Sequence, residues 1–68
     1  MYTEEQISIA INNIIKLNNA PIVRFFDGYI IMAQSESDYI TKKNKIIRGD
    51  RYGFYTIEHA LKLKIKNE

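Results

Sequence analysis

Few side chains in this sequence are of a type and spacing that supports chemistry. His59 is the one histidine, and the one side chain whose charge changes near neutral pH without perturbation. To act as a general acid or base it needs a group that orients it and a cavity that holds substrate. Glu58 is its neighbour in sequence, and successive residues of a helix do not face each other. No serine or carboxylate is tied to it by a recognisable motif. Cysteine is absent, which rules out disulfides, catalytic thiols and thiolate metal sites. Paired carboxylates, a phosphate-cradling glycine loop and metal-ligand spacing are missing as well. The residues predict a non-catalytic protein without cofactor or metal, and a surface or half-buried histidine.

Charge gives a second candidate. The formal net charge is +2 over 68 residues, unevenly spread. Residues 1–38 carry five acidic and two basic side chains, net −3; residues 39–68 carry eight basic and three acidic ones, net +5. Lys42, Lys43, Lys45, Arg48 and Arg51 alternate there with Tyr39, Tyr52, Phe54 and Tyr55. Lysines neutralise phosphates in a salt-dependent way, and aromatic rings stack on unpaired bases. Tyr52-Gly53-Phe54 resembles the core of the RNP1 motif of RNA-recognition modules, which places stacking aromatics on a strand. Arg51, Tyr55 and Ile57 depart from that motif, so no site residue is carried over from it. The plainer reading has the lysines solvating a turn and the aromatics joining the core.

Any such site depends on the elements that position it. The strongest is the stretch Ile22–Gln34, two apolar runs joined by Asp27-Gly28. Asp-Gly suits a two-residue type I′ turn, whose central residues both need positive φ. That turn sets Phe26 opposite Tyr29, Phe25 opposite Ile30, Arg24 opposite Ile31 and Val23 opposite Met32. Side chains alternate between faces. Val23, Phe25, Ile30 and Met32 form one apolar face; Ile22, Arg24, Phe26, Tyr29, Ile31 and Ala33 form another, nearly as apolar. The residues Arg24, Phe26, Tyr29 and Ile31 are therefore a candidate protein interface, since aromatics around an arginine are typical anchors. The C-terminal segment, a second copy or a target protein are the occupants to choose among.

Before the hairpin, Thr3-Glu4-Glu5-Gln6 has capping-box spacing. Ile7, Ala10, Ile11, Ile14, Ile15 and Leu17 recur at helical spacing, which predicts a helix over 4–18 packed on the Val23/Phe25 face. Asn12, Asn13, Lys16 and Ile9 fall off that stripe, and Asn18-Asn19 offers a left-handed end before Pro21. After the hairpin, Ser35–Asp38 reads as a polar loop. Short strands are expected at 39–41 and 46–48 around an exposed turn at 42–45, with Gly49–Arg51 breaking the pattern. Tyr52–Tyr55 reads as one more extended segment. Residues 56–65 fit a helix carrying Ile57, Ala60, Leu61 and Ile65 on one face. Leu61–Lys66 also alternates with period two, as a strand does, and the helix is preferred.

The expected fold is a single α+β domain over 1–68. An N-terminal helix packs on a small antiparallel sheet, the hairpin 22–33 plus one or two short strands, and a C-terminal helix follows. A chain this short is marginally stable alone, so self-association is a natural support. No apolar run approaches the ~20 residues that span a bilayer, and the start MYTEEQ has no basic leader. With no cysteine, these features point to the cytoplasm. The ending Gly53–Leu61 resembles the strand-into-helix endings of small phage and prophage proteins, which implies an accessory protein of a mobile element. The leading expectation is a small non-catalytic protein-binding module, an inhibitor or modulator of a host or defence enzyme, homodimeric in one form. The alternative is a nucleic-acid-binding regulator that uses Lys42, Lys43, Lys45, Arg48, Arg51 and Tyr52.

Overall fold

The computed structural model describes residues 2–63. Its elements run α1 (Glu4–Leu17), β1 (Ile22–Phe26), β2 (Tyr29–Ala33), α2 (Glu36–Ile47), β3 (Tyr55–Thr56) and α3 (Ile57–Lys62). The sheet is antiparallel with strand order β1-β2-β3. The architecture is the expected α+β arrangement, with one helix more than the sequence suggested.

The N-terminal helix starts where its capping box places it. The Gln6 N–H donates to Thr3 Oγ1 at 3.1 Å, and the Thr3 N–H donates to Gln6 Oε1 at 2.9 Å. Glu4 and Glu5 lie in the first turn, where negative charge meets the positive end of the helix dipole. The buried stripe is narrower than expected. Ala10 and Ile14 are fully buried and Ile7 and Ile11 pack beside them, whereas Ile15 and Leu17 join Ile9 at the surface. Asn13 is drawn inward because its Nδ2 donates to the Ala60 carbonyl at 2.9 Å, tying α1 to α3. The helix ends on Asn18 in an extended conformation (φ −125°) rather than a left-handed one.

The hairpin has the predicted register, Phe26↔Tyr29 through Val23↔Met32, and continues to Ile22↔Ala33. Asp27 and Gly28 have φ of 52° and 86°, as a type I′ turn requires. The face bearing Val23, Ile30 and Met32 meets α1 and α3. Ala10, Ile14, Ile30, Ile57 and Ala60 form the main core there, and Val23 and Met32 pack against it.

Residues 36–47 correct the sequence reading. The loop expected at 35–38, the strands expected at 39–41 and 46–48 and the turn at 42–45 give way to one continuous helix, Glu36–Ile47, capped by Ser35 and Arg48. Ser35 caps it, its Oγ accepting from the Asp38 N–H at 3.2 Å. Tyr39, Lys42, Lys43 and Ile46 then recur at helical spacing as its inward stripe, and Ile46 is fully buried. Gly49, with φ of 94°, closes the helix in a Schellman motif. The Asp50 N–H reaches the Lys45 carbonyl at 2.9 Å, and the Gly49 N–H reaches that of Ile46 at 3.0 Å. Helix α2 lies against β2 and β1 on the face opposite α1. The domain therefore has three layers: α1 and α3, the sheet, and α2.

The extended segment expected at 52–55 is shifted. Tyr52-Gly53 is a turn, and β3 holds only Tyr55 and Thr56, paired with Ile30 and Tyr29. Thr56 caps α3 directly, its hydroxyl accepting from the His59 N–H at 3.1 Å. The helix expected over 56–65 ends sooner, at Lys62, because Leu63 turns extended (φ −64°, ψ 134°); Ile65 lies outside the described residues.

Candidate functional site

The two faces of the hairpin differ less than the sequence suggested, because both are covered. On the second face Ile31 and Ala33 are fully buried beneath α2. Three cation–ring contacts surround them. The Arg24 guanidinium sits 4.7 Å from the Tyr39 ring centre, Lys43 Nζ lies 5.4 Å from that of Phe26, and the Arg51 guanidinium lies 5.7 Å from that of Tyr29. Of the four expected interface residues, Ile31 is in the core, and Phe26 and Tyr29 are half-buried under basic side chains. Arg24 stays at the surface, on the edge strand.

The six basic and aromatic residues of the alternative reading divide in two. Lys42 turns inward: its ammonium donates to the Met32 carbonyl at 2.7 Å and lies 3.4 Å from Asp38. Lys43 covers Phe26, and Arg51 lies between Tyr29 and Asp27, 3.6 Å from the Asp27 carboxylate. Lys45, Arg48 and Tyr52 remain exposed, Tyr52 at 93%. His59 is exposed and tilted against Tyr55, ring centres 5.2 Å apart. It borders an open concavity of about 400 Å3 formed with Met32, Gly53, Phe54, Tyr55 and Thr56. No side-chain hydrogen bond orients its imidazole among the described residues.

The sheet edges bring in residues that the sequence reading passed over. In a two-residue hairpin the residues flanking the turn, Phe26 and Tyr29, exchange backbone hydrogen bonds, and the pattern alternates from there. Arg24 and Ile22 therefore point their N–H and C=O groups at β2, while Val23 and Phe25 point theirs outward. The same alternation directs Ile30 and Met32 toward β3. Ile30 pairs with Tyr55, and Met32, beyond the end of β3, has its carbonyl taken by Lys42. That inner edge is thus occupied by a two-residue strand and then by a lysine, both recognised ways of blocking unwanted pairing.

The outer edge of β1 has no such protection. It is five residues long, and no strand pairs with it among the described residues. Phe25 is 38% exposed on it. Its one charged residue, Arg24, does not project as a guard. Arg24 is held bidentately by Glu36, one contact at 3.1 Å, and stacks on Tyr39. The hydrogen bond to Glu36 raises the Arg24 pKa, and the same bond lowers that of Glu36. The Arg24–Glu36 unit is accordingly neutral over the ordinary pH range.

Among the described residues no group of three or more metal-ligating side chains comes together, and no helix is long and apolar enough to cross a membrane. No protein-family model, no curated protein and no solved structure matches the chain.

Proposed function

We propose that this chain is a small protein-binding module that recognises an extended segment of its partner by strand addition to β1. The observation behind this reading is the unguarded outer edge of β1. Val23 and Phe25 offer unpaired backbone groups there, Phe25 is exposed, and Arg24 is folded back onto Glu36 and Tyr39. In strand addition the main chain supplies affinity, and alternate side chains supply specificity. Val23 and Phe25 read the partner's apolar side chains on the α1 face, while Arg24 borders the α2 face. A module of this kind acts by occupying a strand of a larger protein, the role of an inhibitor or modulator, and the mobile-element setting implied by the Gly53–Leu61 ending is consistent with it.

Backbone amide exchange and affinity capture from the native host test the proposal together. In the free protein, at a concentration too low for self-association, the Arg24 amide, bonded within the hairpin, should exchange slowly and those of Val23 and Phe25 should exchange fast. Partner binding should protect the latter two. Phe25→Glu should abolish capture while Ile47→Glu, on the exposed side of α2, leaves it intact. Equal capture by Phe25→Glu and the unaltered chain would rule out the edge.

A further inference from the structure

We infer that the β1 edge also accepts a second copy of this chain, in a two-fold antiparallel pairing centred on Arg24 that joins the two sheets into one of six strands. The inference rests on strand addition at β1 and names an occupant for it.

The register follows from which backbone groups are free. Only Val23 and Phe25 within β1 direct N–H and C=O outward, so a two-fold pairing must match these residues with each other. Centring on Val23 brings Pro21 opposite Phe25, and proline has no N–H to give. Centring on Phe25 brings Asp27 opposite Val23, and Asp27 has left the strand at φ 52°. Centring on Arg24 sets Val23 opposite Phe25 of the second copy, twice, with about four backbone hydrogen bonds and full overlap of the two strands.

The side chains favour the same register. Each Phe25 lies across from a Val23, an aromatic against a β-branched residue, which is a stabilising cross-strand combination. The partly exposed Phe25 ring gains cover by it. Arg24 faces Arg24 of the second copy, and like charges directly opposite destabilise a sheet. Here each arginine arrives already neutralised by its own Glu36. The Arg24–Glu36 pair, which ties β1 to the start of α2, thus also permits self-pairing. A five-residue edge belongs to the small end of protein interfaces, so the dimer is reversible and concentration-dependent.

The absence of cysteine makes the geometry directly testable. Residues facing each other without mutual hydrogen bonds have Cα atoms about 4.5 Å apart, within the range of ~4.4–6.8 Å that a disulfide spans. Arg24→Cys should form a disulfide dimer under mild oxidation. Val23→Cys and Phe25→Cys alone should not, whereas the Val23→Cys/Phe25→Cys double variant should; Ile47→Cys is the collision control. Sedimentation velocity on the unaltered full chain should show a monomer–dimer equilibrium. Phe25→Glu should weaken it by at least about tenfold, through loss of two cross-strand pairs. Glu36→Gln should weaken it most at low salt, because the facing arginines are then unneutralised. Circular dichroism melts establish that each variant folds. A chain that stays monomeric at millimolar concentration overturns the inference. So does a dimer in which Arg24→Cys cross-links no faster than Ile47→Cys. Either result leaves strand addition to a different protein to be judged by capture with Phe25→Glu, so the two readings fail separately.

Discussion

Replacing Ile46 by alanine tests the feature that most reshapes this fold, the packing of α2 over the second hairpin face. Ile46 has no solvent exposure, and on the sheet side Ile31 is equally buried. Truncating a fully buried isoleucine typically costs about 2–5 kcal/mol. At roughly 0.05–0.15 kcal/mol per residue, a chain of this length has a total stability of about 3–10 kcal/mol. Ile46→Ala should therefore remove about a fifth of it at the least and lower the urea midpoint in proportion. The adjacent Ile47 is 60% exposed, and Ile47→Ala should change stability by no more than about 0.5 kcal/mol.

The assay is equilibrium urea unfolding followed by far-ultraviolet circular dichroism, at a concentration low enough to keep the chain monomeric. A milder cycle removes the ambiguity of a variant that fails to fold. Ile31→Val and Ile46→Val should each cost about 0.5–1.5 kcal/mol. If the two walls share one packed layer, the double variant departs from their sum by about 0.5 kcal/mol or more. An Ile46→Ala cost below about 0.5 kcal/mol, equal to that of Ile47→Ala, would refute the packing of α2 and reopen the hairpin face as a free surface.

Three further outcomes are expected. Asn44 lies inside α2, where glycine is about 1 kcal/mol worse than alanine; Asn44→Gly should melt below Asn44→Ala, and equal melting would indicate the exposed turn expected from sequence. The carboxyls of Asp38, held by the Gln34 N–H at 3.0 Å and then by Lys42, and of Glu36, held by Arg24, lie below the ordinary carboxylate range. The folded chain thus binds fewer protons in acid than the unfolded one: their stabilisation is complete above the ordinary range and is lost as pH falls through the lowered values. Thermal melts across that acid range should show a decline that Asp38→Asn and Glu36→Gln each flatten, and unchanged curves would contradict these contacts. Finally, a nucleic-acid role would have to fall on the exposed Lys45, Arg48 and Tyr52. Fluorescence anisotropy with labelled single-stranded DNA and RNA at two salt concentrations should show no binding that Lys45→Ala/Arg48→Ala removes; steep salt-dependent binding lost in that variant would favour the nucleic-acid reading.

The legible parts of this sequence are those whose signal is local. The Thr3 capping box, the Asp27-Gly28 turn and the hairpin register all follow from a few neighbouring residues, and each appears as read. Helix α2 is hard to read from the sequence for a physical reason. Two of the four residues on its inward stripe are Lys42 and Lys43, which bury their stems and send their charged ends to the Met32 carbonyl and the Phe26 ring. The apolar period is broken there, and the isolated Tyr39-Ile40 and Ile46-Ile47 pairs look like short strands. The decisive signal was present in Ser35-Glu36-Ser37-Asp38, a capped start with an acid three residues after the serine. Gly49 likewise marked a helix end. For the candidate site, Arg24 was legible as a surface residue. Phe25 falls on the core face by alternation, yet it stands partly exposed while Val23 on the same strand packs on the core, a difference of tertiary coverage rather than of local sequence.

Covering both faces of the hairpin changes what kind of recognition the molecule can perform. An open apolar face would bind through side chains and demand a complementary surface. A sheet covered by α1 and α3 on one side, with Phe25 left partly exposed there, and by α2 on the other offers a partner mainly its backbone edge, and a backbone edge is blind to most of a partner's sequence. Selectivity must then come from the flanking side chains. Phe25 and Val23 favour a partner strand with apolar residues at alternate positions, placed toward α1. With Arg24 neutralised by Glu36, the proposed edge pairing would tolerate even an arginine opposite it. Removing Glu36 should restore the guard and make the edge repel basic strands, including its own. The ion pair is weak as a source of stability at an exposed site, and its consequence lies in which strands the edge can accept.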